Sequence, residues 1–507
     1  MNEAAFFDEL FNYAREIGLW PILEGLDPGR REGPLYPFLQ FVLFTMMRCV
    51  GGVQSLLATH DVLLTDEALM QMLGFNAAQV QEGSNKRGLS RRTKPVKIRG
   101  PFSFETVADN IVRIGPEKLV AMFNGLIRCL AAQGVFDKTL DVSLDATDDE
   151  ATPTYKTDDG RDVPRVTREK RPDVRANRHA NKVKVTVFGW KVWLVWEPIS
   201  KIPLALAIDG INEADNKHAH AVLAQAQENV KGHSQIVSVA LDRGFLDGDL
   251  LSWLEHEAGL DWVCPGKAGM KVTEEARGRV EHALLTYGMA GETFVETAAD
   301  LVRHGGEFAG VRFFEREAGP TRPSLLVAQV DDLGETAFYG PGGSETSDRR
   351  GTAAERQPLH ATVVLRWPDR SALDKEDAEA HEVEPEEAVV LLSPTKRAAL
   401  DRFDKYDDRS LIENRLNRDG KQYFGLGESL ARNEAAMRTA TVFSTVALML
   451  YRALDLHREE VAVREERTGK RLGVLRYRRE MAVRNRNRVL LVVDEVYGLL
   501  LLSEVLE

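Results

Sequence analysis

Two aspartates, Asp145 and Asp242, stand at the ends of stretches whose residue pattern predicts strands. KTLDVSLDAT alternates apolar residues at Leu140, Val142 and Leu144 and delivers Asp145 near its C-terminal end. SQIVSVALD is apolar on both faces, as a buried parallel strand is, and ends in Asp242. Carboxylates at the C-terminal ends of adjacent strands in one α/β sheet converge, and two of them unpaired repel. A divalent cation relieves that repulsion, and a pair of cations clamps the attacking and leaving oxygens of an in-line phosphoryl displacement. Hard oxygen ligands select Mg²⁺, with Mn²⁺ as the second choice, over zinc. Such a site needs a third acid. Glu413, on a segment of helical periodicity far along the chain, reaches the same edge if one helix crosses the sheet.

Each aspartate alone is a weak signal, because an Asp at a strand end more often caps a helix or closes a turn. The pair with a third acid is stronger than its parts. A phosphatase of the DxDxT kind is disfavoured, since Ala146 and Thr147 follow Asp145 where that pattern wants a second Asp. Asp148, Asp149 and Glu150 read as solvated loop. His179, His218, His220 and His233 show no zinc spacing, and His218 and His220 read as an exposed helix face. Trp190 and Trp196 share one face of a strand and Trp193 the other, a pattern of core packing. No GxxxxGK[ST] loop is present, so no nucleotide cofactor is expected.

The elements that must position these residues follow from periodicity. Residues 1–135 show apolar spacings of three and four and predict a helical N-terminal domain, whose basic segment 83–101 could touch DNA. Residues 136–266 read strand, strand, strand, helix, strand, helix, strand, the first part of a mixed α/β catalytic sheet, with a charged loop from Asp148 to about Asn181. Residues 267–394 read as a β-rich insertion built from ETFVETA, VRFFERE, SLLVAQV, ATVVLRW and AVVLLS. Residues 395–455 return to helix as the second part of the catalytic domain, and 456–507 form a basic helical C-terminal region.

The chain of 507 residues carries a net charge of −12, which speaks against coating nucleic acid along the whole surface. Its positive charge is concentrated instead. Lys86 to Arg99 holds seven Lys or Arg, Arg91, Arg92 and Lys94 among them, and no acid; Arg458 to Arg488 holds eleven basic residues against five acidic ones. Phosphate held at chosen places fits that distribution, so the partner expected is double-stranded DNA. The three cysteines, Cys49, Cys129 and Cys264, form no CxxC pair and imply a reducing compartment. The acidic N-terminus and the short apolar runs lead to the expectation of a cytoplasmic protein without a membrane partner.

In YDDRSLIENRLNRDGK the spacing Tyr406, Arg409, Glu413 resembles the Tyr-x2-Arg-x3-Glu-x6-Lys signature of DDE transposases of bacterial insertion sequences. The lysine stands one place late, as Lys421, with Arg418 as its substitute. SLDAT around Asp145 and ALDRGF around Asp242, Arg243 and Gly244 are similar to the other two motifs, and the likeness runs from about residue 50 to 455. The resemblance implies an RNase H-like catalytic domain, split by the insertion, that cleaves DNA at element ends and transfers the strand to a target. Asp145, Asp242 and Glu413 would hold two Mg²⁺ ions, while Tyr406 and Arg409 bind phosphate near the cut. A homodimer would join two ends. Trp367, in ATVVLRWPDR, would stack on a base displaced from the duplex, or else close the small core of the insertion. Two other readings share the fold: a catalytically silent DNA-binding descendant, and a nuclease that acts on branched DNA.

Overall fold

A computed structural model describes residues 3–29, 36–53, 67–82, 104–170, 183–267, 269–288, 294–316, 325–331, 362–367, 389–393, 432–467, 491–493 and 496–498, together with isolated positions such as Tyr406. Through residue 132 the described elements are helices: α1 (Glu3–Glu16), α2 (Trp20–Glu24), α3 (Phe38–Val50), α4 (Glu67–Met72), α5 (Ala77–Glu82), α6 (Phe104–Ile111) and α7 (Pro116–Ala132). α7 opens on Pro116, whose fixed φ and missing N–H suit the first helical turn. α3 is apolar nearly all round and is buried all round, with Phe41, Phe44, Met46 and Met47 sealed from water. Each such side chain contributes about 1.5–3 kcal/mol through burial.

The sheet begins with β1 (Thr139–Ala151), β2 (Arg165–Lys170), β3 (Val183–Glu197) and β4 (Ile202–Gly210), then β5 (Gln235–Leu241) and β6 (Asp261–Pro265). Helices α8 (Ala219–Val230) and α9 (Gly248–His256) flank β5 in sequence. Two further helices, α10 (Lys271–Tyr287) and α11 (Phe294–Arg303), precede β7 (Glu307–Phe308), β8 (Val311–Arg316), β9 (Leu325–Val330), β10 (Thr362–Trp367) and β11 (Val390–Leu392). The strand order is β2-β3-β1-β5-β6-β11-β10-β9-β8-β7, with β4 on β3 in line with β2. β1, β5 and β6 are parallel and the other pairings antiparallel, so the mixed α/β sheet expected from sequence is present. The strands after residue 300 extend this same sheet, since β11 pairs with β6.

Helix α12 (Glu434–Arg467) lies over the sheet and packs on α3 and α7. Its apolar run, from Phe443 to Leu454, enters the same continuous core as α1, α3, α7 and the sheet. Buried Asn229 of α8 donates to Asn124 of α7 and to the Leu204 carbonyl of β4, both at 2.9 Å, and so ties helices to sheet. No described helix is long and apolar enough to cross a membrane.

Several expectations need correction. β1 does not end near Asp145 but runs on to Ala151, because β3 continues to pair with it as far as Phe188. The charged loop from Asp148 therefore starts inside a strand, and part of it is β2, held on β3 from Arg165 to Lys170. Asp149 is buried rather than solvated. ETFVETA is not a strand: Phe294, Ala298 and Leu301 recur at spacings of four and three, and the segment opens α11. With α10 before it, the segment read as β-rich starts with two helices.

Candidate active site

β1 and β5 run side by side and parallel, and their last register pair is Leu144 with Leu241. Asp145 and Asp242 are the next residue on each strand. Neighbouring strands are about 4.8 Å apart, so Asp145, still within β1, and Asp242, just past the end of β5, stand side by side. Both are half-buried, the exposure that a site for a charged substrate needs. Asp145 sits opposite Leu194 of β3, and its Oδ1 accepts from the Ala146 N–H at 2.9 Å. Asp242 follows β5 in extended conformation and leads into a short 3₁₀ turn, Arg243–Phe245, anchored by buried Phe245.

Helix capping, the plainest alternative role for a strand-end aspartate, falls elsewhere. Asp242 makes no cap to the turn it precedes, whereas Asp247 caps α9 by accepting from the Leu250 N–H at 3.0 Å. The carboxylate of Asp242 is not spent on its own helix.

Alternation places Asp242 on the face of β5 that carries Ala240, and Ala240 packs in an apolar patch with Val263, Val364, Val390 and Leu392. Tyr406 lies against that patch. The first residue of the expected third motif thus meets the sheet on the face of the two aspartates. Glu413, Arg409, Arg418 and Lys421 lie outside the described residues, as do Arg91, Arg92, Lys94 and His179. Trp367 ends β10 opposite Leu326, and its side chain is also outside the described set.

The wall beside Asp242 is a charged network that sequence reading missed. Lys191 of β3 donates to Asp215 Oδ1 and to the Glu213 carbonyl, both at 2.6 Å, and the Trp193 indole donates to the Asp215 carbonyl at 2.6 Å. Asp215 presses on Gly244, where a Cβ would come within 2.4 Å of Oδ2. Asn216 donates to Asp247 at 3.1 Å. The loop after β4 therefore braces the turn that carries Asp242. At its root Asp209 accepts from Lys217 Nζ, His218 Nε2 and the Gly210 N–H, each at 2.8 Å. Desolvation opposes the charge of Asp209, but these donors outweigh it and hold its pKa at about 2. His218, expected on an exposed face, is half-buried against Trp193. Three acids, Asp209, Glu213 and Asp215, just ahead of Lys217 and His218 were the available signal in DGINEADNKH, though a solvated turn has the same composition.

Side-by-side carboxylates with oxygen donors only suit a hard divalent cation. Among the described residues no group of three or more His, Cys, Asp or Glu is placed to hold a metal. Trp190, Trp193 and Trp196 are all buried, as core residues. Burial also pushes the Cys49 and Cys129 thiols up, away from nucleophilic use.

Residues 138–450, well over half of the chain, match the transposase DDE domain family. The chain belongs to that family. Among solved structures it is similar to a piggyBac transposase determined by cryo-EM as a synaptic complex with hairpin DNA, at 10% identity and a TM-score of 0.34, over 98% of this chain and 88% of that one. No curated protein matches it in sequence.

Proposed function

We propose that the chain is a transposase of the insertion-sequence type with the Tyr-x2-Arg-x3-Glu signature, which cuts DNA at the ends of its element and joins the freed 3′-hydroxyl to target DNA. The observation that carries the reading is the placement of Asp145 and Asp242 one residue past the Leu144–Leu241 pair, inside the segment matched to the family. The catalytic fold is read as RNase H-like, behind a DNA-binding helical domain at 1–135, and the protein as cytoplasmic. The active species is a homodimer on double-stranded DNA.

Asp145, Asp242 and Glu413 are the ligands this reading assigns to Mg²⁺, or Mn²⁺ in its place. The bound ions supply Lewis-acid activation of the attacking oxygen and charge stabilisation at the departing one. Tyr406 packs on the apolar patch that holds Ala240, and the signature assigns Glu413, seven residues later in the sequence, as the third ligand. Arg409 gives the scissile region a two-pronged phosphate contact, with Lys421 or Arg418 beyond it. Arg91, Arg92 and Lys94 add sequence-independent affinity.

The test is Mg²⁺-dependent nicking of a duplex that carries the element end. Asp145→Ala, Asp242→Ala and Glu413→Ala should each abolish nicking while leaving binding and melting temperature near wild type. Wild-type cutting by any one variant removes that residue from the site. A wild-type chain that binds ends but never nicks them would support the silent descendant instead.

A further inference from the structure

We propose that the ribbon formed by β2 and the outer part of β3 is a DNA-gripping arm that holds duplex phosphates about one helical turn from Asp145. The inference rests on the transposase reading and extends it to a surface that the sequence motifs leave unassigned.

The paired strands, residues 165–170 and 183–187, carry four Lys or Arg against one acid, Glu169, in a chain whose net charge is −12. β1 stops pairing with β3 at Ala151 opposite Phe188, and from Phe188 outward to Val183 β3 is paired with β2. Val183 to Thr186 are exposed on both faces, including Val183 at 46% and Val185 at 37%. Strands that bury so little apolar surface and repel themselves gain most from a polyanion laid against them. A two-stranded ribbon has the dimensions to follow a DNA groove.

The side chains divide into a root and a grip. Arg168 is the root: its two terminal nitrogens go to the two carboxylate oxygens of Asp148, three residues past Asp145. Gly189 completes the root, because with φ +143 it passes so close to β1 that a Cβ would fall 2.1 Å from the Asp149 carbonyl oxygen. Arg165 and Lys184 are exposed, opposite Phe188 and Glu169 in the ribbon. Lys184, Thr186 and Phe188 alternate on the face of β3 that carries Leu194, the residue opposite Asp145, and Arg165 lies opposite Phe188. The Thr167 and Thr186 hydroxyls, 3.1 Å apart, sit between the two cations. Met437 of α12 covers this face at Trp190, and the ribbon is the part that projects past the cover.

From Leu194 to Val185 is nine residues, about 30 Å at 3.3 Å per residue, close to the roughly 34 Å turn of B-DNA. A duplex with its scissile phosphate at Asp145 therefore meets the ribbon roughly nine base pairs away.

The test uses the full chain and a duplex of about 30 base pairs, three turns, carrying the element end, without divalent metal. Arg165→Ala with Lys184→Ala should leave the melting temperature unchanged and lower the slope of log affinity against log salt by about 1.8, at roughly 0.9 per lost phosphate contact. Phosphate protection roughly nine base pairs from the cut should disappear in the same variant. Wild-type slope and protection in the double variant overturn the arm, and so does a wild-type chain with no affinity for duplex DNA. Wild-type Mg²⁺-dependent nicking reads the transposase assignment separately. If the slope falls in a chain that never cuts, the arm stands and that assignment fails; if the chain cuts and the slope holds, the arm alone fails.

Discussion

Thr441 of α12 donates a 2.9 Å hydrogen bond from Oγ1 to Asp149 Oδ2, joining the long helix to β1 four residues past Asp145. Both side chains are buried, so the contact fixes the strand that carries the first candidate acid against the helix that follows the third.

Replacing that hydroxyl by a methyl group keeps the volume and removes the donor. Thr441→Val should cost about 1–3 kcal/mol, because a buried carboxylate loses a partner it cannot exchange for water. Thermal melting checks the cost. If the bond also holds β1 in register, nicking should slow while end binding at low salt is unchanged; a variant with wild-type melting would show that Asp149 does not depend on Thr441.

Asp209 gives the pH dependence of the brace beside Asp242. Its pKa in the folded chain, about 2, lies below the ordinary carboxylate value, so its contribution to stability is complete above about pH 4 and is lost as pH falls toward 2. With a third of the side chain exposed, solvent screening limits that contribution to on the order of 1 kcal/mol. Asp209→Asn should therefore melt below wild type at neutral pH, and the gap should close on acidification. A gap that stays constant down to pH 2 would mean the network acts through shape and not charge.

The fold was legible where apolar runs stop at a charge. β5 is read to within one residue at each end, because the largely apolar run of SQIVSVALD stops at Asp242. The extension of β1 was not legible, since Asp148, Asp149 and Glu150 break the alternation and their partners, Arg168 and Thr441, are 20 and 292 residues away. α11 was misread for a different reason: Thr293, Val295 and Thr297 favour strand locally, but burial of Ala298 and Leu301 follows the helical period and overrides that preference. Of the candidate site, the strand-borne pair could be placed by pattern. The brace of Asp215 on Gly244 could not, because it joins two loops whose approach no local signal encodes.

Trp367 ends β10, and stacking and packing make opposite predictions for it. If it stacks on a displaced base, Trp367→Ala should melt as wild type, nick normally and slow in later steps, with partial rescue by an abasic site; the loss corresponds to about 1–3 kcal/mol per stacked base. If it packs, the variant should melt lower and the abasic substrate should rescue nothing.

The strongest test of how the front of the chain is held to the long helix is the buried pair of Glu9 in α1 and Arg458 in α12. Both are nearly sealed from water, and the aromatic contacts of Phe6 with Tyr451 and Tyr13 with His457 close around them. Desolvating two charges costs nearly as much as their attraction returns, so the pair as a whole adds little stability, whereas removing one partner leaves an uncompensated charge and costs about 3–5 kcal/mol. Arg458→Ala should thus lower the melting temperature far more than Glu9→Leu combined with Arg458→Met, in which apolar side chains of similar volume replace both. Partial proteolysis should release α1 first in the single variant and not in the double one. Equal destabilisation by the two variants would show that the pair contributes net attraction, and no destabilisation by Arg458→Ala would mean that α1 is held by its aromatic contacts alone.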